Sequence, residues 1–185
     1  MENRLDKLGL KYDTDKSSQD HNFLNGYEKA FKTLEVKSLL EIGIFKGGSI
    51  RAFSEFFPDA KIIGIDTEEK YMINEGNIKS YCMDQKDITG LVGLQSIYDF
   101  DVIIEDGSHY WGDQMRTFFT LFPLMKSGSI YIMEDVHTSY HSYYNDGVCN
   151  PLNIMNNWST FNNILCIEEV GNKDDHSRSL IIWRK

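Results

Sequence analysis

The stretch Lys61-Ile62-Ile63-Gly64-Ile65-Asp66 is an apolar run with one acid at its carboxyl end, and this form recurs along the chain. Asp101-Val102-Ile103-Ile104-Glu105-Asp106-Gly107-Ser108-His109 repeats it, as does Ser129-Ile130-Tyr131-Ile132-Met133-Glu134-Asp135. Near-continuous apolarity over a few residues fits a strand covered on both faces, the habit of parallel sheets. Further strands are expected at 36–42 and 78–82, with an antiparallel pair at 164–170 and 179–183 closing the chain. Helix-length segments separate the runs: from Gly47/Gly48 to about Phe57, near 87–94, and from about Trp111 to Met125. Strands alternating with helices predict an α/β fold, a Rossmann-like doubly wound, mostly parallel sheet of seven strands with an antiparallel last strand. In such sheets ligands bind beyond the carboxyl ends of the strands, where these acids stand.

Composition narrows the class. The chain has 185 residues, enough for one domain with a sizeable core. It carries a net charge of −9 and no cluster of Lys or Arg, which argues against nucleic acid or an anionic membrane surface as a main partner. No apolar stretch approaches the roughly 20 residues of a spanning helix, and residues 1–6 lack a secretory h-region, so a cytoplasmic protein is expected. Cys82, Cys149 and Cys166 form no CxxC pair and read as reduced thiols, the first and last packed in strands. One domain is expected over 1–185, with a helical segment at 1–34 and an acceptor-side loop at 136–160.

Parallel strands ending on one edge would bring Asp106, His109, Glu134 and Asp135 together. Three ionised carboxylates cannot crowd one site without neutralisation, and a divalent cation supplies it. All-oxygen ligands from Asp106, Glu134 and Asp135 favour Mg²⁺, Mn²⁺ or Ca²⁺ over zinc. His109 stands beside them as a candidate base. Asp106 as the cap of the following helix is the plain structural alternative. Glu105 points to the other face by strand alternation and stays out of the metal set.

The first strand leads into Leu40-Glu41-Ile42-Gly43-Ile44-Phe45-Lys46-Gly47-Gly48-Ser49. The spacing is not G-x-G-x-x-G and lacks the G-K-[ST] of a phosphate loop. The pattern E-x-G-x-x-x-G followed by Asp66 resembles class I S-adenosylmethionine (SAM)-dependent methyltransferases. That resemblance implies that Asp66 holds the ribose, that Asp84 and Gln85 lie near the adenine, and that Glu41 and Gly43 line the methionine part.

The resemblance narrows further on Asp106-x-x-His109, on Glu134-Asp135, and on Lys11-Tyr12-Asp13-Thr14-Asp15-Lys16, which is similar to a Lys-Tyr-Gly-Thr-Asp-Lys motif. These resemble the metal-dependent sugar O-methyltransferases of the macrolide-sugar and rhamnosyl type, related to cephalosporin hydroxylases. Asp13 departs from that motif's glycine. The resemblance implies Mg²⁺ on Asp106, Glu134 and Asp135, His109 as general base, and a sugar or glycoconjugate hydroxyl as acceptor. His137, Tyr140 and His141 are candidates to line the acceptor side, and homo-oligomers remain open. Two alternatives stand: a catechol-like diol acceptor, for which the related enzymes typically carry Asp-Asn in place of Glu134-Asp135, and a non-catalytic SAM- or nucleotide-binding module.

Overall fold

A computed structural model describes residues 3–147, 150–157, 163–171 and 177–185. The strands are β1 (Ser38–Ile42), β2 (Lys61–Asp66), β3 (Asn74–Glu75), β4 (Ile78–Cys82), β5 (Val102–Glu105), β6 (Ile130–Met133), β7 (Ile164–Val170) and β8 (Ser179–Arg184). The helices are α1 (Arg4–Lys11), α2 (Leu24–Phe31), α3 (Gly48–Phe56), α4 (Ile88–Tyr98), α5 (Trp111–Leu121) and α6 (Pro151–Asn156). The strands form one sheet in the order β3-β4-β2-β1-β5-β6-β8-β7. β4, β2, β1, β5 and β6 run parallel, while β8 pairs antiparallel with both β6 and β7.

The apolar runs are strands because both of their faces are covered. Neighbouring residues point to opposite faces. Leu40, Ile63, Ile103 and Tyr131 meet α4, α5 and α6 through Leu94, Phe118 and Leu152. Leu39, Ile62, Ile104 and Ile132 meet α1, α2 and α3 through Leu5, Phe31 and Phe53. Each such fully buried side chain contributes about 1.5–3 kcal/mol relative to exposure.

The sheet gains a strand beyond the expected seven. Gly76, at φ +55°, folds Asn74–Glu75 back onto the start of β4 as a two-residue strand too short for periodicity to reveal. α5 stops at Leu121 rather than Met125, because Pro123 has no N–H to continue the ladder; one 3₁₀ turn, Phe122–Leu124, follows. Cys82 and Cys166 lie in strands, as expected, but are exposed rather than packed. Cys149 lies outside the described residues. The described residues of the 136–160 segment are not all loop: two 3₁₀ turns, Val136–Tyr140 and Ser142–Tyr144, precede α6.

Candidate active site

The site stands on the carboxyl ends of β1, β2, β5 and β6, knitted together just past the strands. Gly43 N donates to Ile65 O at 2.8 Å, Asp106 N to Ile42 O at 2.9 Å, and Glu134 N to Glu105 O at 2.9 Å. Gly43 turns the chain at φ +85°, and a Cβ on it would lie 2.0 Å from Asp106 O, so only glycine fits. Two clefts share this glycine. One, of about 210 Å³, is bounded by Gly43, Asp66, Met83, Asp84 and Ser108. The other, of about 200 Å³, is bounded by Asp13, Lys16, Phe45, Gly48 and Asp106.

Asp66 is half-buried at the end of β2. Its Oδ2 accepts from Phe45 N at 2.9 Å and its Oδ1 from Glu68 N at 3.0 Å. Asp84 is exposed on the rim, with Oδ1 accepting from Lys86 N at 2.8 Å. Gln85 also lines the cleft, yet its amide points inward. Its Nε2 donates to Glu105 Oε1 at 3.0 Å, and its Oε1 accepts from Ser108 N at 2.7 Å. It therefore fixes the loop after β5. Burial pushes Glu105 up to about 8, against the opposing hydrogen bond from Gln85.

On the other side of Gly43 the acids meet a residue to which the sequence assigned no chemistry. The buried Lys16 ammonium is bonded to Asp106 Oδ2, donates to Glu134 Oε2 at 2.8 Å, and lies 3.9 Å from Glu41 Oε1. Burial alone would lower its basicity; the carboxylates of Asp106, Glu134 and Glu41 more than reverse that, and it stays protonated. Glu41 lines neither cleft, contrary to its expected place beside the methionine part. It is fully buried beneath them on β1, both its oxygens lack a hydrogen bond, and burial lifts it to about 7 against the pull of Lys16. This was the available signal for Lys16: an acid in a strand buried on both faces requires a cation.

His109 and Asp135 complete the cluster, each in the left-handed region at φ 58° and 52°. His109 Nε2 lies 3.5 Å from Asp135 Oδ2 and 3.9 Å from Asp106 Oδ1. Asp106, His109 and Asp135 each offer one ligand atom within 4.8 Å of the others. Glu134 joins them through Lys16. Its second oxygen, Oε1, is buried and unpartnered, and burial pushes the group well up despite Lys16. Asp106 is not the cap of α5; Tyr110 occupies that place.

The residues after β6 are tied to the histidine segment. Thr138 Oγ1 donates to His109 O at 3.4 Å, Trp111 Nε1 to Thr138 O at 3.2 Å, and Gly112 N to Asp146 Oδ1 at 2.9 Å. His137 Nδ1 lies 3.8 Å from Asp135 Oδ1, and burial lowers its basicity. Tyr140 and His141 are exposed on the same segment.

No family model matches the chain. It is 33% identical over 146 residues to mycinamicin VI 2''-O-methyltransferase of Micromonospora griseorubida, spanning 74% of this chain and 37% of that protein. It is 35% identical over 146 residues to demethylmacrocin O-methyltransferase of Streptomyces fradiae, with the same two shares, 74% and 37%. The chain thus spans little more than a third of these relatives. Among solved structures, the MycE methyltransferase of the mycinamycin biosynthetic pathway, in complex with Mg and SAH, superposes with a TM-score of 0.85 at 25% identity, over 100% of this chain and 55% of that one. A putative caffeoyl-CoA O-methyltransferase from Staphylococcus aureus shares the fold at a TM-score of 0.63 and 17% identity, over 89% of this chain and 84% of that one.

Proposed function

From a chain that has the class I methyltransferase fold and is a homologue of sugar O-methyltransferases, we propose a SAM- and Mg²⁺-dependent O-methyltransferase acting on a sugar or glycoconjugate hydroxyl. The observation that carries the proposal is the meeting of Asp106, His109 and Asp135 within ligand distance, beside two clefts hinged on Gly43.

The residues suit both absent groups. Gly43 leaves a cradle that a Cβ would fill, and Asp66 presents a carboxylate at the cleft wall for ribose hydroxyls. Asp84 and Gln85 border the same cleft, where adenine would lie. Asp106 and Asp135 offer oxygen ligands suited to Mg²⁺ or Mn²⁺, and the unpartnered Oε1 of Glu134, tied to Asp106 through Lys16, would be the third. When bound, SAM supplies an electrophilic methyl group and the cation supplies Lewis acidity to the acceptor oxygen.

The chain's own residues do the rest. His109 accepts the hydroxyl proton at Nε2, the nitrogen facing the acids, and Asp135 stabilises the resulting imidazolium from 3.5 Å. The oxygen so freed would be the nucleophile toward the methyl carbon that SAM supplies when bound, with S-adenosylhomocysteine (SAH) as the leaving group and a methyl ether as product. Thr138 and Trp111 hold the histidine segment against the turn that carries His137, Tyr140 and His141, which would form the acceptor side. Residues 1–185 act as one methyltransferase domain on a small-molecule acceptor, in the cytoplasm. No described helix is long and apolar enough to cross a membrane.

The test is turnover with SAM and a panel of deoxysugar glycosides and catechols, with Mg²⁺ or EDTA, together with SAH calorimetry. His109→Ala should lower turnover about 10²–10⁴-fold with SAH and Mn²⁺ binding intact. Preference for catechol would move the acceptor to the diol class. SAH binding with no metal-dependent turnover on any acceptor would make the chain a binding module.

A further inference from the structure

We propose that Lys16 is a resident cation that shares the acid cluster with the divalent ion, steadying Asp106 and Glu134 when no metal is bound and weakening the metal's hold by its own charge. The inference rests on the metal reading above and adds a residue to it.

The geometry is specific. The ammonium lies on the buried side of the cluster and takes one oxygen each from Asp106 and Glu134. Their other oxygens are left free of it: Asp106 Oδ1 faces His109, and Glu134 Oε1 has no hydrogen-bond partner. Glu41, Asp106 and Glu134 are three carboxylates around this one ammonium. Buried charges without a partner destabilise a fold strongly, so a metal-free site needs that ammonium.

Lys16 is also held in place by its loop. Leu24 N donates to Lys16 O at 3.1 Å, Thr14 N to Gly9 O at 3.1 Å, and His21 N to Asp15 O at 2.8 Å. A cation so fixed stays when the metal arrives, and like charges a few ångströms apart repel. Even at the dielectric constant of water, a unit charge about 5 Å from a dication weakens binding about tenfold.

The experiment compares wild type, Lys16→Met and Lys16→Arg in two measurements. Free Mn²⁺ is followed by electron paramagnetic resonance during titration into metal-free protein, and melting is recorded in EDTA and in saturating Mg²⁺. Lys16→Met should bind Mn²⁺ about tenfold tighter than wild type. It should melt lower than wild type in EDTA and recover most of that loss in Mg²⁺. Lys16→Arg should match wild type in both. Unchanged or weaker Mn²⁺ binding by Lys16→Met, or a melting loss that Mg²⁺ does not recover, overturns the proposal. If Lys16→Met does not fold, the double variant Lys16→Met/Glu134→Gln, which removes one acid with the ammonium, should fold in EDTA; its failure to do so also overturns the proposal. Wild type that binds no Mn²⁺ refutes the metal reading itself, and this inference with it.

Discussion

Glu105→Gln should flatten the pH dependence of stability. Glu105 ends β5 fully buried, facing Gln85 and away from the acid cluster around Lys16. Burial lifts it from 4.5 to about 8. The unfolded chain gives up this proton near the ordinary carboxylate value, whereas the folded chain keeps it until about 8. Between those values the folded state binds more protons, so stability falls as pH rises, by about 1.4 kcal/mol per pH unit. The full loss on the alkaline side is of order 5 kcal/mol as an upper bound. A glutamine keeps the shape and still accepts from Gln85 Nε2, but has no proton to lose. Urea unfolding of metal-free protein at half-unit steps from pH 5.5 to 7.5 should show wild type losing about 2–3 kcal/mol more than Glu105→Gln. Glu41, lifted to about 7, adds a loss of the same sign to both proteins and drops out of the difference. Parallel stability curves for the two proteins would refute the reasoning, because they would mean that Glu105 is ionised throughout.

Asp66→Ala should weaken SAH binding about 10–100-fold by calorimetry, whether or not Mg²⁺ is present, since hydrogen bonds to a charged group contribute about 1.5–3 kcal/mol. Unchanged affinity would remove Asp66 from the ribose site. Gly43→Ala must place a Cβ 2.0 Å from Asp106 O on a residue at φ +85°. The left-handed conformation alone costs about 1–2 kcal/mol, so a melting point lowered by several degrees, with loss of SAH binding, is expected. Wild-type melting and affinity would show that the turn is not built as described.

The fold was legible where the signal is local. The runs at 61–66, 101–105 and 129–133 carry their burial in their own composition, and the strand-end rule then places Asp66, Asp106, Glu134 and Asp135 on one edge. Alternation also sorted Glu105 away from Asp106, and in the structure it accepts from Gln85, whose amide also donates to Thr117, on the opposite face. β3 was not legible, because two residues have no period. Lys16 was quoted in a motif but given no chemistry. It stands 90 residues from Asp106 in a polar loop, and no spacing rule joins them. Glu41 was misplaced for a related reason. A strand-end acid was read as facing ligand, but on β1 it shares a face with Leu39, the face on which the Lys16 loop packs.

Loops, more than strands, aim the chemistry at this edge. Among the described residues six non-glycine residues have positive φ; two of them, Asp13 and Phe45, line the Lys16 cleft, and two, His109 and Asp135, belong to the acid cluster. Each such residue carries a backbone cost that its neighbours must fix in place. At His109 the neighbours are Thr138 Oγ1, on its carbonyl, and the start of α5 immediately after it. The left-handed turn brings the imidazole back to within 3.9 Å of Asp106 instead of letting the chain run straight into helix. It also moves the cap position to Tyr110, which offers no side-chain bond, and Gly112 N in the first turn of α5 donates to Asp146 Oδ1 from outside the helix. Had Asp106 capped that helix, one of its oxygens would be bound to a backbone amide. With the cap displaced, Asp106 keeps one oxygen for Lys16 and one for the side where His109 and Asp135 stand.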